Sequence, residues 1–328
     1  MPTGSDDPPC GTIADMSPTA VPRRRQLLLV AGSGRSGTSL VTGLAGRLGF
    51  AIPVPEVTAD ESNPRGFGEP RWAVDFHTAL LRQLNMAPED GRPEAWQLAR
   101  SAVDLGGPRA RLSRWLAEQL GPAERVVVKD PRLTWFVSLW AAVAGELDAE
   151  VSVLTMLRHP AESVRSRELA YGSGSSSTTR TASWLNMMLG LEAELRGTRR
   201  AVVAYGELLT DWRSALAAAE GPLGLELVTG RPAAELGAAG ALVDTSLRRA
   251  EADWETLDLA APVRDLAERA YVALGSLVGT GPSRADVLDG LRAEYADLYG
   301  WAADLTRSRV RAARVEERRK VSSGRSKP

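Results

Sequence analysis

The sequence predicts an α/β fold of the P-loop type: a three-layer αβα arrangement with a central parallel sheet and extra helices. Three observations predict it. Four short apolar runs, at 27–31, 126–128, 151–157 and 201–205, have the unbroken hydrophobicity of strands buried on both faces. Helix-patterned stretches separate them, which favours parallel pairing. Each run enters a polar cluster at its carboxyl end, where open parallel sheets collect ligands.

Composition supports a packed domain. The chain has 328 residues, is 44% hydrophobic, and balances 40 Lys+Arg against 41 Asp+Glu for a net charge of −1. That balance argues against nucleic-acid binding by bulk electrostatics, so an anion site has to be local. Cys10 is the one cysteine and His77 and His159 the two histidines, which excludes a disulfide framework or a cysteine metal cluster and leaves no expectation of a metal. Reduced cysteine chemistry fits the cytoplasm, and no stretch reaches the roughly 20 apolar residues of a membrane span.

In chain order, residues 1–25 read as a disordered leader rich in Pro, Gly, Ser and Asp. The basic Arg23-Arg24-Arg25 ahead of an apolar run resembles the start of an export signal, but Arg35 interrupts it and no cleavage pattern follows. A single domain is expected over 26–300, its later part mostly helical, and a charged helical or disordered tail over 301–328. The first strand enters Gly32-Ser33-Gly34-Arg35-Ser36-Gly37-Thr38-Ser39, then a helix burying Leu40, Val41, Leu44, Ala45 and Leu48 and stopped by Gly49. Further helices are expected near 71–86, 107–120, 134–146, 181–196, 207–219, 245–258, 263–277 and 283–300. Pro160 suits a helix start after the third strand, with the helix running to Tyr171 before Gly172. The Gly/Ser/Thr stretch 172–179 reads equally as a lid or an idle surface loop.

A glycine-rich turn between strand and helix lets backbone N–H groups and the helix N-terminus face an anion. Residues 32–39 follow the nucleotide-loop spacing G-x-x-x-x-G-K-[ST] except that Thr38 replaces the lysine. A phosphoryl-transfer enzyme uses that lysine with magnesium to neutralise the β- and γ-phosphates. Here the cation is Arg35, inside the loop. Arg158 closes the third strand, and Ser166 lies on the helix that follows; a guanidinium fork and a hydroxyl suit a terminal phosphate. Each alone would read as a sheet cap and a surface serine, and Ser163 is a second choice for the hydroxyl. Lys129, in Lys129-Asp130-Pro131-Arg132, ends the second strand on the same edge.

These residues carry a family resemblance. Gly34-Arg35-Ser36-Gly37-Thr38-Ser39 resembles the 5′-phosphosulfate loop of the sulfotransferases that use 3′-phosphoadenosine 5′-phosphosulfate (PAPS), and Arg158 to Ser166 resembles their 3′-phosphate motif. Lys129-Asp130-Pro131-Arg132 resembles the version in bacterial members, and Tyr205-Gly206-Glu207-Leu208 the turn whose tyrosine lies near the adenine. The resemblance spans about 26–210. It implies that Gly34, Arg35, Ser36, Gly37, Thr38 and Ser39 hold the 5′-phosphosulfate, that Arg158 and Ser166 hold the 3′-phosphate, and that Tyr205 contacts adenine. It implies too that Lys129 and Arg35 stabilise charge as the nucleotide leaves. Leu40 stands where the cytosolic branch has a stacking tryptophan, which points to the branches acting on glycans, proteins or bacterial metabolites.

Sulfuryl transfer also needs a group that takes the acceptor's proton. Glu69, in Asn63-Pro64-Arg65-Gly66-Phe67-Gly68-Glu69, is the first choice, Asp130 the second and His77 the third. A carboxylate stabilising a helix N-terminus is the competing explanation for Glu69. Trp72, Trp135, Trp140 and Trp184 read as core or as walls of an acceptor pocket. The expected acceptor is a small molecule, glycan or glycolipid carrying a hydroxyl or amine, in a bacterial secondary pathway. The rivals are a small-molecule kinase, which needs a magnesium-binding aspartate, and a non-catalytic nucleotide-binding module.

Overall fold

A computed structural model describes residues 24–60, 63, 66–172, 174–247, 253–279 and 284–324. In chain order the elements are β1 (Arg25–Ala31), α1 (Thr38–Arg47), α2 (Arg71–Gln83), α3 (Ala95–Ser101), α4 (Gly106–Leu120), β2 (Arg125–Lys129), α5 (Val137–Glu146), β3 (Ala149–Leu157), α6 (Pro160–Tyr171), α7 (Ser177–Glu194), β4 (Arg200–Ala204), α8 (Tyr205–Thr210), α9 (Trp212–Leu223), α10 (Ala233–Gly240), α11 (Ala261–Gly275) and α12 (Ala285–Gly324). The sheet has the order β2-β1-β3-β4 and every pairing is parallel. The four apolar runs are therefore the four strands.

Alternation along β1 divides the core. Leu27 and Leu29 pack with Val126, Val128, Trp96, Trp135 and Trp140 on one face, while Leu28 and Val30 pack with Val127, Leu154, Met156, Val41 and Leu44 on the other. A third cluster joins α7 to α11 and α12 through Trp184, Leu185, Leu266, Leu288 and Tyr295. Each fully buried Leu, Val or Met adds roughly 1.5–3 kcal/mol over its exposed state. These faces make the three layers, with the α11–α12 pair as the additional helices.

The connection from β1 runs to β2 on one side, whereas β3 leads to β4 on the other. Their shared boundary is a switch point, which leaves a crevice at the carboxyl ends of β1 and β3. The glycine loop and Arg158 both start there.

Several elements differ from expectation. Tyr205 opens α8 rather than ending β4, because Ala204 is the last residue paired to β3. The helix expected over 134–146 begins as a 3-10 turn, Pro131–Phe136, with the Asp130 side chain accepting from the Arg132 N–H, and becomes α-helical at Val137. Helices α3 and α10 arise where none was expected. The helix expected over 245–258 falls partly outside the described residues; beside the gap, Asp244 and Asp253 turn their carboxylates onto backbone N–H groups two residues on, which competes with helix. Helix α12 continues to Gly324 with no break at residue 300, burying Leu288, Leu291 and Tyr295 and exposing Trp301 and Leu305. Residues 1–23 of the expected leader lie outside the described residues. Among the described residues no helix is long and apolar enough to cross a membrane.

Candidate functional site

The loop after β1 is built for close approach. Gly32 sits at φ 131°, and a Cβ there would come within 2.7 Å of the Met156 carbonyl on β3. Its N–H donates to Thr134 Oγ1 at 3.0 Å and its carbonyl accepts from the same hydroxyl at 3.1 Å, tying β1 to the turn after β2. Gly37 sits at φ 92° with the Tyr205 ring so close that a Cβ would lie 2.4 Å from Cδ2. Only glycine fits both the backbone and the neighbour. Between them Arg35 adopts φ 66°, a left-handed position that costs a non-glycine residue about 1–2 kcal/mol. The first-turn N–H groups of α1, from Thr38 onward, then point out of the loop as helix geometry requires.

Three arginines gather around this loop. Arg35 Nε donates to Ser166 Oγ at 3.2 Å, joining the loop to α6. Arg158 Nη1 donates to the Arg35 carbonyl at 2.8 Å, its Nε donates to Glu162 Oε2 at 2.8 Å, and its guanidinium lies 4.4 Å from the Tyr205 ring centroid, within cation–π range. Arg167, which sequence reading did not single out, donates from Nη2 to the Gly34 carbonyl at 3.3 Å and pairs with Glu89 at 2.8 Å. Burial holds the Arg167 guanidinium below its usual range; Glu89 opposes this, while the nearby charges of Arg180 and Arg35 add to it. Arg158 and Arg167 are buried and each paired with a glutamate, whereas Arg35 is half-buried beside them.

On the opposite side of α1's start, Lys129 ends β2 and is buried. Its Nζ donates to Glu69 Oε1 at 2.6 Å and to Ser39 Oγ and the Phe67 carbonyl, both at 3.2 Å. Glu69 reaches it from the segment before α2, which is stitched in place by the Val57 N–H on the Glu69 carbonyl and the Arg71 N–H on Pro55, both at 2.8 Å. Asn63 Nδ2 donates to Ser39 Oγ at 3.2 Å and to the Gly66 carbonyl at 2.6 Å. Pro64 and Arg65 of the same motif lie outside the described residues.

Asp130 turns away from this group. Its Oδ2 accepts from His77 Nδ1 at 2.7 Å, and its Oδ1 accepts from Arg132 Nη1 at 2.7 Å and from the Arg132 N–H at 3.2 Å. Trp140 Nε1 donates to His77 Nε2 at 2.9 Å; an indole can only donate, so the imidazole proton is assigned to Nδ1, facing Asp130. Burial alone would raise the Asp130 carboxyl, but the hydrogen bond from His77, the charge of the Arg132 guanidinium and the Arg132 N–H outweigh it and hold the group below the usual carboxylate range.

One cavity of about 580 Å³ lies over these residues, within the range of small-molecule sites. Gly34, Arg35, Gly37, Thr38, Ser39, Glu69, Lys129, Arg158, Ser166 and Tyr205 all line it. Ser36, Asp130, His77 and Ser163 do not. The Ser36 hydroxyl is buried and donates to the Ser33 carbonyl at 2.6 Å, so it braces the loop from within. Asp130 and His77 are fully buried behind the wall and occupied by each other, which removes both from the candidates for a base. Tyr205 reaches the cavity, but its ring packs under Gly37 and against Arg158, a platform for the loop more than an open stacking surface. Ser163 is buried off the cavity wall, and His159 pairs with Glu268 at 3.1 Å.

Of the two readings of the tryptophans, the core one holds. Trp135, Trp140 and Trp184 are core, and Trp72 stacks on Trp115 with centroids 4.4 Å apart; none of the four lines the cavity. Its walls beyond the cations are Val57, Phe67, Val74, Pro88 and Met187 towards α2, and Leu40, Leu209 and Leu242 towards α8 and the end of α10. Leu242 carries no motif, and only the tertiary packing of α10 on α1 could have revealed it.

No protein-family model matches the chain, and no curated protein matches it. Among solved structures the chain is similar to the sulfotransferase domain of the Synechococcus PCC 7002 olefin synthase, at 17% identity over 75% of this chain and 94% of that one, with a TM-score of 0.40. It is similar to the sulfotransferase domain from the curacin biosynthetic pathway, at 15% identity over 77% and 98%, TM-score 0.42. A sulfotransferase from Mycobacterium tuberculosis H37Rv gives 19% identity over 67% and 76%, TM-score 0.33. Likeness at this level transfers no activity, so function rests on the residues of the cavity.

Proposed function

We propose that this chain is a sulfotransferase that moves the sulfuryl group of PAPS to a hydroxyl or amine of a small-molecule, glycan or glycolipid acceptor. The observation that carries the reading is the convergence of Arg35, Lys129 and Arg158 with the start of α1 on one cavity. Two anionic groups of one nucleotide have matching donors there. The loop N–H groups, Arg35, Thr38 and Ser39 would hold the 5′-phosphosulfate, and Arg158 with Ser166 the 3′-phosphate.

PAPS would supply an activated sulfuryl group, whose sulfur forms a bond to the acceptor oxygen or nitrogen as the bond to the phosphate oxygen breaks. The electron pair of that bond stays on the phosphate. Lys129 would meet this growing charge, and its second contact, Ser39, gives it a way to swing toward the loop and release Glu69. Glu69 would then accept the acceptor's proton. Arg35 neutralises charge on the transferring group, and Tyr205 keeps the loop's shape from below.

The kinase alternative asks for a carboxylate facing the phosphates to hold magnesium. Asp130, the acid at the end of β2, has both oxygens committed to His77 and Arg132. This weighs against phosphoryl transfer.

Calorimetric titration tests the reading. The 3′,5′-bisphosphate product should bind at least about tenfold more tightly than ATP, a difference of roughly 1.4 kcal/mol. Arg158→Ala should erase the advantage over adenosine 5′-phosphosulfate, which lacks the 3′-phosphate. Sulfur-labelled PAPS offered with a panel of alcohols, phenols and glycosides then reports transfer. Equal affinity for ATP and the bisphosphate would remove the proposal; binding without transfer to any acceptor would leave a non-catalytic module.

A further inference from the structure

Behind the acceptor-side wall stands a polar column with no part in the nucleotide site. Trp140, His77 and Asp130 are each fully buried and joined in series by hydrogen bonds of 2.9 and 2.7 Å. A buried carboxylate and imidazole are expensive unless every bond is made, and here each atom has its partner. The column's open end is Arg132. Its backbone N–H and Nη1 both bind Asp130 Oδ1, which fixes one edge of the guanidinium, while the side chain stays 28% exposed and lines the cavity. A guanidinium has five N–H donors in a rigid plane, so the anchored edge leaves others to face the cavity.

A second cation stands at the same end. Arg71 is exposed and also lines the cavity, in the first turn of α2, a turn with no acidic residue. The helix dipole opposes a cation there, so helix stability does not account for it. Of the acids that line this side of the cavity, Glu69 pairs with Lys129 and Glu89 with Arg167, while Asp60 accepts the Asn63 N–H at 3.1 Å. Arg71 follows Glu69 by two residues and Arg132 follows Lys129 by three, and Glu69 touches Lys129. Both guanidiniums thus line the same cavity as the proposed base.

We propose that the acceptor carries an anionic group, a carboxylate or a phosphate, beside its nucleophilic hydroxyl, and that Arg132 and Arg71 grip this group. The inference rests on the sulfotransferase reading. Arg132 is the specificity residue; Asp130 and His77 are positioning residues that act through it. Gripping the anion brings the neighbouring hydroxyl to Glu69, which converts affinity into alignment.

The test uses protein saturated with the 3′,5′-bisphosphate and three probes: 3-hydroxybenzoate, 3-hydroxyphenyl phosphate and methyl 3-hydroxybenzoate. Calorimetry should give the two anions at least about tenfold tighter binding than the neutral ester. Arg132→Ala should abolish that preference with bisphosphate affinity unchanged, Arg132→Lys should restore part of it, and Arg71→Ala should weaken it. An ester bound as tightly as the acid, no probe bound at all, or a preference that survives Arg132→Ala overturns the proposal. Failure of the bisphosphate itself to bind would instead overturn the sulfotransferase reading. Were Arg132→Ala to unfold the protein, the exposed Arg71→Ala variant decides the matter.

Discussion

Replacing Lys129 by methionine removes a cation from a place where its partner has no easy recourse to water. The Lys129 and Glu69 side chains are 3% and 10% exposed and in contact at 2.6 Å. At an effective dielectric of about 20 their attraction is roughly 6 kcal/mol, which the loss of hydration by both groups largely offsets. Removing one partner leaves the other's desolvation uncompensated, at a cost of about 3–5 kcal/mol. Lys129→Met should therefore lower the melting temperature by roughly 6–15 °C for a domain of this size. Adding Glu69→Gln removes the stranded charge, and the double variant should regain most of that loss.

Catalysis should not follow stability. Glu69→Gln alone should lower kcat by about 10²–10⁴, the usual contribution of a positioned base, while bisphosphate affinity changes little. Lys129→Met should lower kcat by about 10²–10³ through lost charge stabilisation. The double variant should be stable and as inactive as the worse single variant. Thermal denaturation and transfer from sulfur-labelled PAPS, run on the four proteins of this cycle, make the comparison. Transfer that returns along with stability in the double variant would refute the assigned roles, because the pair would then be a structural brace. So would a Glu69→Gln enzyme with kcat near wild type.

Two further predictions follow from the loop and the buried column. Gly37→Ala would force an alanine to φ 92° and set its Cβ 2.4 Å from Tyr205 Cδ2; strain of about 1–2 kcal/mol and overpacking of about 1–3 kcal/mol should add, and urea denaturation reads the loss. A variant as stable as wild type, with bisphosphate binding intact, would show that the loop does not depend on this contact. Asp130 titrates below the ordinary aspartate value of about 3.9 in the folded protein, so it binds its proton more readily when unfolded. Its contribution is then fully present above that value and lost as pH falls through the depressed folded pKa. Asp130→Asn should accordingly flatten the acid limb of the stability–pH curve below about pH 4 and leave its slope at neutral pH unchanged; an acid limb identical to wild type would contradict the assignment.

The strands were legible because burial on both faces leaves an unbroken apolar run, and their carboxyl ends announced themselves through glycine, proline and basic residues. The loop was legible for the same reason that it is constrained: Gly32 and Gly37 occupy positions no side chain fits, and that requirement shows in spacing alone. What failed was anything decided by orientation. Asp130 and Arg132 sit two residues apart in one polar motif, yet one turns inward to His77 and the other lines the cavity, and no periodicity at a strand-to-turn junction distinguishes them. His77 had the chemistry of a base but lies on the buried stripe of α2 with Phe76 and Leu80, and its partner Trp140 is 63 residues away. Arg167 follows Ser166 directly and still went unremarked, since its reach back to Gly34 depends on how α6 packs over β1. Sequence thus located Arg35, Lys129 and Arg158, which line one cavity, while packing decided which of their neighbours line it with them. The donors proposed for the nucleotide lie on the loop, on strand ends and on α6, whereas Arg132 is held by a column reaching to Trp140 on α5, so a substitution at Arg132 should leave the phosphate loop undisturbed.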